Sequence, residues 1–72
     1  MSEATQRFTI EGMHCGGCAS SVRRAIAMVP GVASVEVSLH EKSATVGYDP
    51  ARATPQAIVE AVEDAGYGAA IA

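Results

Sequence analysis

The chain lacks tryptophan and has one phenylalanine and two tyrosines in 72 residues, so aliphatic side chains must supply most of its core. It has no run of basic residues and carries a net charge of −3, which argues against nucleic acid and anionic membrane surfaces as partners. No stretch approaches the roughly 18 apolar residues needed to span a bilayer, and the start "MSEATQRFTI" lacks the pattern of a signal peptide. These absences predict a cytoplasmic chain with no direct membrane insertion.

The small size of the chain limits the functions that it can perform. Residues 1–72 are expected to form one domain, of the size at which folding buries only about 60% of the surface of the unfolded chain. A catalytic cleft with its own walls is therefore not expected, and the domain is predicted not to be an enzyme. Apolar residues make up 49% of the chain and charged residues 18%, which favours a folded two-layer structure over disorder.

The hydrophobic pattern predicts six elements in the order β-α-β-β-α-β. "RFTIEG" alternates as a half-buried strand does, and "VASVEVSL", "HEKS" and "ATVGYD" together predict an antiparallel hairpin. Thr54 and Pro55 predict the start of the second helix, Gly66 predicts its end, and "YGAAIA" predicts a short edge strand. The side chains predicted to face the core after the first strand are Ala19, Val22, Ile26, Val29, Val35, Val37, Leu39, Ala44, Val46, Tyr48, Ile58, Ala61, Val62 and Ala65.

This order of elements predicts an α+β fold of the split βαβ type. In that fold a four-stranded antiparallel sheet carries both helices on one face, which covers the apolar stripe of each helix. The topology places the loop between the first strand and the first helix at an exposed edge, near the loop that enters the last strand. His40, in the hairpin turn, is predicted to be exposed at the far end of the strands.

The two cysteines of the chain lie in "GMHCGGC", residues 12 to 18, between the first strand and the first helix. Cys15 is expected in the loop and Cys18 in the first helical turn, so that both thiols can hold one small ion. Gly16 and Gly17 are expected to give this loop unusual freedom in φ. The positive end of the helix dipole favours thiolates. Two thiolates without oxygen ligands select a soft d¹⁰ ion, for which Cu(I) is the abundant case.

Other uses of the cysteine pair are open at this point. Zn(II) usually takes four ligands, and this chain could add only His14 or His40 to the two thiolates. A thiol oxidoreductase of the thioredoxin type also places Cys-x-x-Cys at the head of a helix. That fold normally has an aromatic residue before the first cysteine, whereas Met13 and His14 stand there in this chain. Two cysteines without a role are the remaining alternative.

"GMHCGGC", followed by "VPGV", "VEVSL", "ATVGYDP" and "AVEDAGYGA", resembles the heavy-metal-associated domain family over about residues 7–71. The resemblance implies a ferredoxin-like fold and a carrier, usually of Cu(I), that passes the ion to a similar domain by thiolate exchange. It implies that Cys15 and Cys18 are the ligands. It also implies that Met13 packs under the loop and that Tyr67 faces it. The Tyr67 hydroxyl is interpreted as tuning the thiolates, with a tyrosine that caps the core and keeps its hydroxyl in water as the alternative. The family includes free copper chaperones and amino-terminal metal-binding domains of copper-transporting P-type ATPases, so the expected partner is a domain of either kind.

Four other side chains receive separate predictions. His14 stands where the family commonly has Thr or Ser, and it is interpreted as a solvated loop residue, with the role of a third ligand as the alternative. Met28 is expected to pack in the core and not to bind metal. Arg23 and Arg24, on a helix without acidic residues, are predicted to dock against an acidic partner surface, with plain solvation of a helix face as the alternative. The metal-free protein is expected to be a monomer that forms copper-bridged dimers at high concentration.

Overall fold

The computed structural model describes residues 3–72, and its elements follow the predicted order. The bounds are Ala4–Glu11 for β1, Gly16–Ala27 for α1, Val32–Ser38 for β2, Ser43–Tyr48 for β3, Pro55–Asp64 for α2 and Gly68–Ile71 for β4. The longer helix, α1, has 12 residues, and no helix in the described part of the chain is long and apolar enough to cross a membrane.

The four strands form one antiparallel sheet in the order β2-β3-β1-β4, which confirms the predicted α+β architecture. β1 is central, and Phe8 in this strand pairs with Ala44 of β3 on one side and with Ile71 of β4 on the other. The edges of the sheet are β2 and β4. Both helices pack against the apolar side chains that the strands direct to one face.

The core lies between this face of the sheet and the two helices. Its side chains are aliphatic apart from Phe8, Tyr48 and Met13, so aliphatic residues supply most of the core, as the composition predicts. Burying each large aliphatic side chain stabilises the fold by about 1.5–3 kcal/mol relative to leaving it in water. The fully buried large side chains are Phe8, Ile10, Ile26, Ile58, Val22, Val46 and Val62.

The predicted boundaries of α2 are confirmed by its capping geometry. The backbone N–H of Ala57 donates to the Thr54 hydroxyl at 3.2 Å, and Pro55 is the first helical residue. At the other end, Gly66 has φ = +97°, a left-handed conformation that glycine adopts without strain and that stops the helix.

Three side chains predicted to face the core are exposed, and each lies where an element ends. β2 ends at Ser38, so Leu39 belongs to the hairpin turn and is 37% exposed. Ala65 is the C-cap of α2 and lies in solvent. Met28 is the C-cap of α1 and is 78% exposed. The periodic pattern continued past the last helical or strand residue, where the backbone no longer holds the side chain on the inner face.

The hairpin turn lies at the same end of the sheet as the cysteine loop, so the predicted position of His40 at the far end is wrong. β3 runs antiparallel to β1, and its first residue, Ser43, therefore pairs with Thr9 near the end of β1. The backbone N–H of Ile10 also donates to the carbonyl of Lys42 at 2.8 Å. His40 is exposed, as predicted.

The turn between α1 and β2 leads to a stability prediction. Gly31 has φ = +96°, and a Cβ at this position would lie 2.8 Å from the Cβ of Arg52 and 3.0 Å from the Cβ of Ala53. Because both backbone strain and overlap oppose a side chain, Gly31→Ala should lower the free energy of unfolding by about 2 kcal/mol. Urea denaturation measures this loss.

Gly66 provides the matched control, since it has φ = +97° but no atom within 4 Å of an added Cβ. Gly66→Ala should therefore incur backbone strain alone, about 1 kcal/mol. Equal losses in the two variants would show that the neighbours of Gly31 move aside without cost.

Candidate metal centre

The cysteine loop is anchored by a buried methionine. After β1 ends at Glu11, the chain turns at Gly12, which has φ = +90°. Met13 then places its side chain in the core, where it is only 2% exposed. His14 and Cys15 follow at the surface. The position of Met13 is the one that the family resemblance implies, beneath the loop.

Helix α1 begins directly after Cys15, which is its N-cap with an extended backbone at φ = −154°. The carbonyl of Cys15 accepts a hydrogen bond from the N–H of Ala19 at 3.1 Å, but no side chain caps the helix. Cys18 is the third helical residue, and the Cys15 thiol donates to its Sγ across 3.5 Å. The two sulfurs therefore lie side by side at the positive end of α1, one in the loop and one in the first turn.

The glycines between the cysteines do not have the unusual backbone angles expected of them. Gly16 and Gly17 are ordinary helical residues, and the glycine with positive φ in this loop is Gly12. A Cβ at Gly16 would meet nothing within 4 Å, and one at Gly17 would lie 3.8 Å from the Cys15 sulfur. The two glycines thus leave the sulfur pair uncovered, and the backbone itself does not require them.

The surroundings of Cys18 favour its thiolate. Hydrogen bonding to the backbone at His14, then to the Tyr67 hydroxyl and then to the Cys15 thiol lowers the pKa of Cys18 from 9.0 to about 7. Burial opposes this change and is the smaller effect. Near pH 7 Cys18 is therefore ionised to a larger extent than an ordinary cysteine, and the thiolate is the form that binds soft metals.

Tyr67 approaches Cys18 from the segment between α2 and β4. Its hydrogen bond to Cys18 and its burial raise the pKa of Tyr67, while a hydrogen bond from Ser21 acts in the opposite direction. A Cβ at Gly12 would lie 3.5 Å from the Tyr67 ring, so the ring packs against the start of the loop. Tyr67 therefore keeps its proton, and its neutral hydroxyl favours the thiolate form of Cys18.

Ser21 is the member of this arrangement that the sequence analysis missed. It follows Cys18 by three residues, and residues at this spacing share one face of a helix. That spacing is the signal that could have identified it.

The part of the chain that the structure describes places no third side chain of a usual ligand type beside the sulfur pair. Among residues 3–72, no group of three or more His, Cys, Asp or Glu side chains is placed to hold one metal ion. His14 and His40 are exposed, and Met28 lies at the end of α1 away from the cysteines. Arg23 and Arg24 are exposed on α1, five and six residues after Cys18. The structure therefore brings together Cys15, Cys18 and Tyr67, with Met13 beneath them.

The lowered pKa of Cys18 predicts its reactivity. In the metal-free protein, alkylation of Cys18 by iodoacetamide should rise with pH about a midpoint near 7, because only the thiolate reacts. Tyr67→Phe removes a hydrogen-bond donor to that thiolate and should move the midpoint upward. Peptide mass spectrometry at a series of pH values measures both rates.

Tyr48→Phe is the control, since it removes the other tyrosine hydroxyl in the chain, at the opposite end of β3 from the hairpin turn.

The lowered pKa of Cys18 also predicts how stability depends on pH, because a group whose pKa falls on folding stabilises the fold when it is ionised. The contribution of Cys18 is therefore complete above pH 9.0 and is lost as the pH falls through about 7. Melting temperatures that do not rise between these values, or an alkylation midpoint near 9, would contradict this account.

Residues 7–68 match the heavy-metal-associated domain family. The chain is 48% identical over 67 residues to the probable copper-transporting ATPase PacS of Synechocystis, covering 93% of this chain and 9% of that protein. The N-terminal domain of PacS has a solved structure that matches with a TM-score of 0.88 and 46% identity, covering 96% of this chain and 97% of that one.

Two further relatives are not named as copper-transporting ATPases. The structure of the CopZ metallochaperone matches with a TM-score of 0.89 and 33% identity, covering 93% of this chain and all of that one (100%). A mercuric transport protein periplasmic component from Pseudomonas fluorescens is 39% identical over 70 residues, covering 94% of this chain and 77% of that protein. The chain spans less than a tenth of the length of the copper-transporting ATPases that it matches. Motif, fold and family match agree, and the chain belongs to the heavy-metal-associated domain family.

Proposed function

We propose that the domain binds one Cu(I) ion between Cys15 and Cys18 and transfers it to a similar domain. The observation that carries this proposal is the isolated pair of free thiols, 3.5 Å apart at the start of α1. Thiolates without oxygen ligands favour a soft d¹⁰ ion that accepts few ligands. Relatives named as copper-transporting ATPases and as a metallochaperone support the choice of copper.

The sulfur separation is suited to holding one ion. Two sulfurs of a tetrahedral ion with bonds of about 2.3 Å would lie about 3.8 Å apart, close to the 3.5 Å of this pair. A linear two-coordinate ion with similar bonds would need roughly 4.6 Å. Cys15 is exposed, so its side chain can move outward by this difference.

The exposure of the site supports transfer more than storage. Cys15 lies in solvent, and Gly16 and Gly17 have no side chains to cover the sulfurs. A thiolate of the partner can therefore reach the ion while both cysteines still hold it. The ion then passes by stepwise exchange of sulfur ligands, without a change of oxidation state.

The proposed setting is a copper chaperone or the N-terminal metal-binding domain of a copper-transporting P-type ATPase. The partner is then a domain of the other kind, and both work in the cytoplasm, where glutathione keeps the cysteines reduced. The domain has no catalytic activity of its own in this proposal. In an ATPase, catalysis belongs to other parts of the protein.

A divalent soft ion is the second candidate. The match to a mercuric transport protein covers 77% of that relative, and Hg(II) is also an ion that prefers thiolates. Zn(II) is less favoured because it usually takes four ligands, and residues 3–72 offer no group of three. A zinc site would need His14 as an extra ligand.

Anaerobic titration of the reduced protein with Cu(I), Zn(II) and Hg(II), each against a competing chelator, tests the proposal. The expected result is one tightly bound Cu(I) and weak Zn(II) binding, both unchanged in His14→Asn. Tight Zn(II) binding that His14→Asn removes would establish the zinc alternative. Tight Hg(II) binding with weak Cu(I) binding would establish the mercuric one. An insulin-reduction assay tests the thiol oxidoreductase, for which no activity is expected.

Copper is expected to link two copies of the domain at high protein concentration. An ion held by two exposed sulfurs can accept one or two more from a second copy. Sedimentation velocity should therefore show a monomer without metal and a monomer–dimer mixture with Cu(I). Cys15→Ser should abolish the dimer, whereas a dimer in the metal-free protein would contradict bridging through the metal.

A further inference from the structure

A groove of about 650 Å³ lies between α1 and the edge strand β2. It lies further along α1 than the cysteine loop, since Arg23 is five residues after Cys18, or about 7.5 Å of helical rise. The helix lines one wall and the first half of β2 lines the other. The lining residues are Ser20, Arg23, Arg24, Ala27, Val32, Ala33, Ser34 and Val35.

The two arginines of the groove have no acidic partner within residues 3–72. The ion pair in this part of the chain joins Arg7 to Glu41 at 2.9 Å. Arg24 lies in the last turn of α1, where a positive charge complements the helix dipole. Arg23 lies outside that turn, and α1 contains no acidic residue. Positive charge without a counter-charge therefore lines a concave surface.

The opposite wall of the groove is an open strand edge. β2 pairs only with β3, so backbone N–H and C=O groups of alternate residues on its outer side have no strand partner. A register shift between Val32 and Ser34 bends the start of the strand, and a regular ladder continues to Ser38. Such an edge can accept an added extended segment through main-chain hydrogen bonds.

We propose that this groove binds an extended acidic segment of a partner protein, which adds to the edge of β2 and places carboxylates on Arg23 and Arg24. Guanidinium groups pair with carboxylates through two parallel hydrogen bonds. The small side chains of Ser20, Ala27 and Ala33 leave room for an extended chain. Nucleic acid is less suited, because the domain carries a net charge of −3 and the groove has two basic residues. The inference rests on the proposed function only in that the partner is taken to be the protein with which the domain exchanges Cu(I).

Titration of the ¹⁵N-labelled, metal-free protein with a capped peptide of alternating valine and glutamate tests this inference. Backbone resonances of Ser20–Ala27 and Val32–Ser38 should shift, those of the cysteine loop should not, and amide exchange along the outer edge of β2 should slow. The same peptide with glutamine in place of glutamate should bind roughly 2- to 30-fold more weakly, the range expected for two exposed ion pairs. A single-stranded oligonucleotide should not displace the acidic peptide.

Matched arginine variants test whether Arg23 and Arg24 supply the positive charge that binds the acidic peptide. Arg23→Gln with Arg24→Gln should weaken peptide binding by the same roughly 2- to 30-fold. Arg23→Gln alone keeps Arg24, which supports the end of the helix, and so separates loss of charge from damage to that end. Arg52→Gln removes an exposed arginine outside the groove and should have no effect. Equal binding of the glutamine peptide, displacement by the oligonucleotide or shifts confined to other surfaces would overturn the inference. Cu(I) titration of the same variants shows separately whether metal binding holds.

Discussion

Cys18→Ser is expected to weaken Cu(I) binding by roughly 100- to 1,000-fold while the domain stays folded. Four-ligand zinc peptides gain about 10–16 kcal/mol from their metal, or about 2.5–4 kcal/mol per ligand, and loss of that amount corresponds to about two to three orders of magnitude. The fold should survive because Cys18 is only half-buried and lies outside the fully buried layer. Competition with a Cu(I) chelator measures the affinity, and a ¹⁵N correlation spectrum reports the fold.

Cys15→Ser should show a similar loss of affinity, and comparison of the two variants separates their roles. Cys18 receives the hydrogen bonds that lower its pKa, whereas Cys15 is the exposed sulfur that a partner would reach first. Ser20→Ala is the control, since it changes an exposed residue of α1 that is not a candidate ligand. Unchanged Cu(I) affinity in either serine variant would remove that cysteine from the site. A collapsed spectrum would mean that the cysteine is structural.

The fold could be predicted from the sequence because local signals and packing agree in this chain. Phe8 and Ile10 alternate with polar residues, and Thr54, Pro55 and Gly66 mark the ends of α2 by their own backbone preferences. The errors lie where a local pattern is insufficient. Leu39 and Met28 follow the period of their elements, but only the hydrogen-bonded backbone determines where an element stops.

The candidate site, like the fold, could be predicted where a local pattern carries the information. The spacing of Cys15 and Cys18 predicted two sulfurs on one side of a helix start, and family resemblance directed attention to Tyr67. The effects of Tyr67 on the pKa of Cys18 and of Ser21 on the pKa of Tyr67 arise between segments distant in sequence, which no local pattern contains. The groove between α1 and β2 is likewise a product of how a helix packs on a sheet edge.

The distribution of charge predicts how the transfer partner is recognised. α1 starts at the metal loop and carries Arg23 and Arg24 without acidic residues, whereas α2 carries Glu60, Glu63 and Asp64 without basic ones. A partner whose cysteines reach the loop must also approach α1, so its facing surface should be acidic. Replacing both arginines by glutamate should then slow Cu(I) transfer by about 100-fold, within the range for electrostatic steering of association. Cu(I) affinity should not change, because neither side chain is a candidate ligand.

Stopped-flow transfer to an acceptor domain with an acidic face measures this rate, and salt provides an independent test. Raising the ionic strength from 0.01 to about 0.15 M shortens the screening length from about 30 to 8 Å, which should slow the wild type toward the rate of the double variant. The single variants Arg23→Glu and Arg52→Glu make the same change of charge, but Arg52 lies in the loop before α2, beside Gly31 and away from the metal loop. Arg52→Glu should therefore leave the rate nearly unchanged. If Arg23→Glu and added salt both leave transfer as fast as in the wild type, recognition depends on shape and sulfur exchange alone, because a charge-steered encounter cannot be insensitive to both.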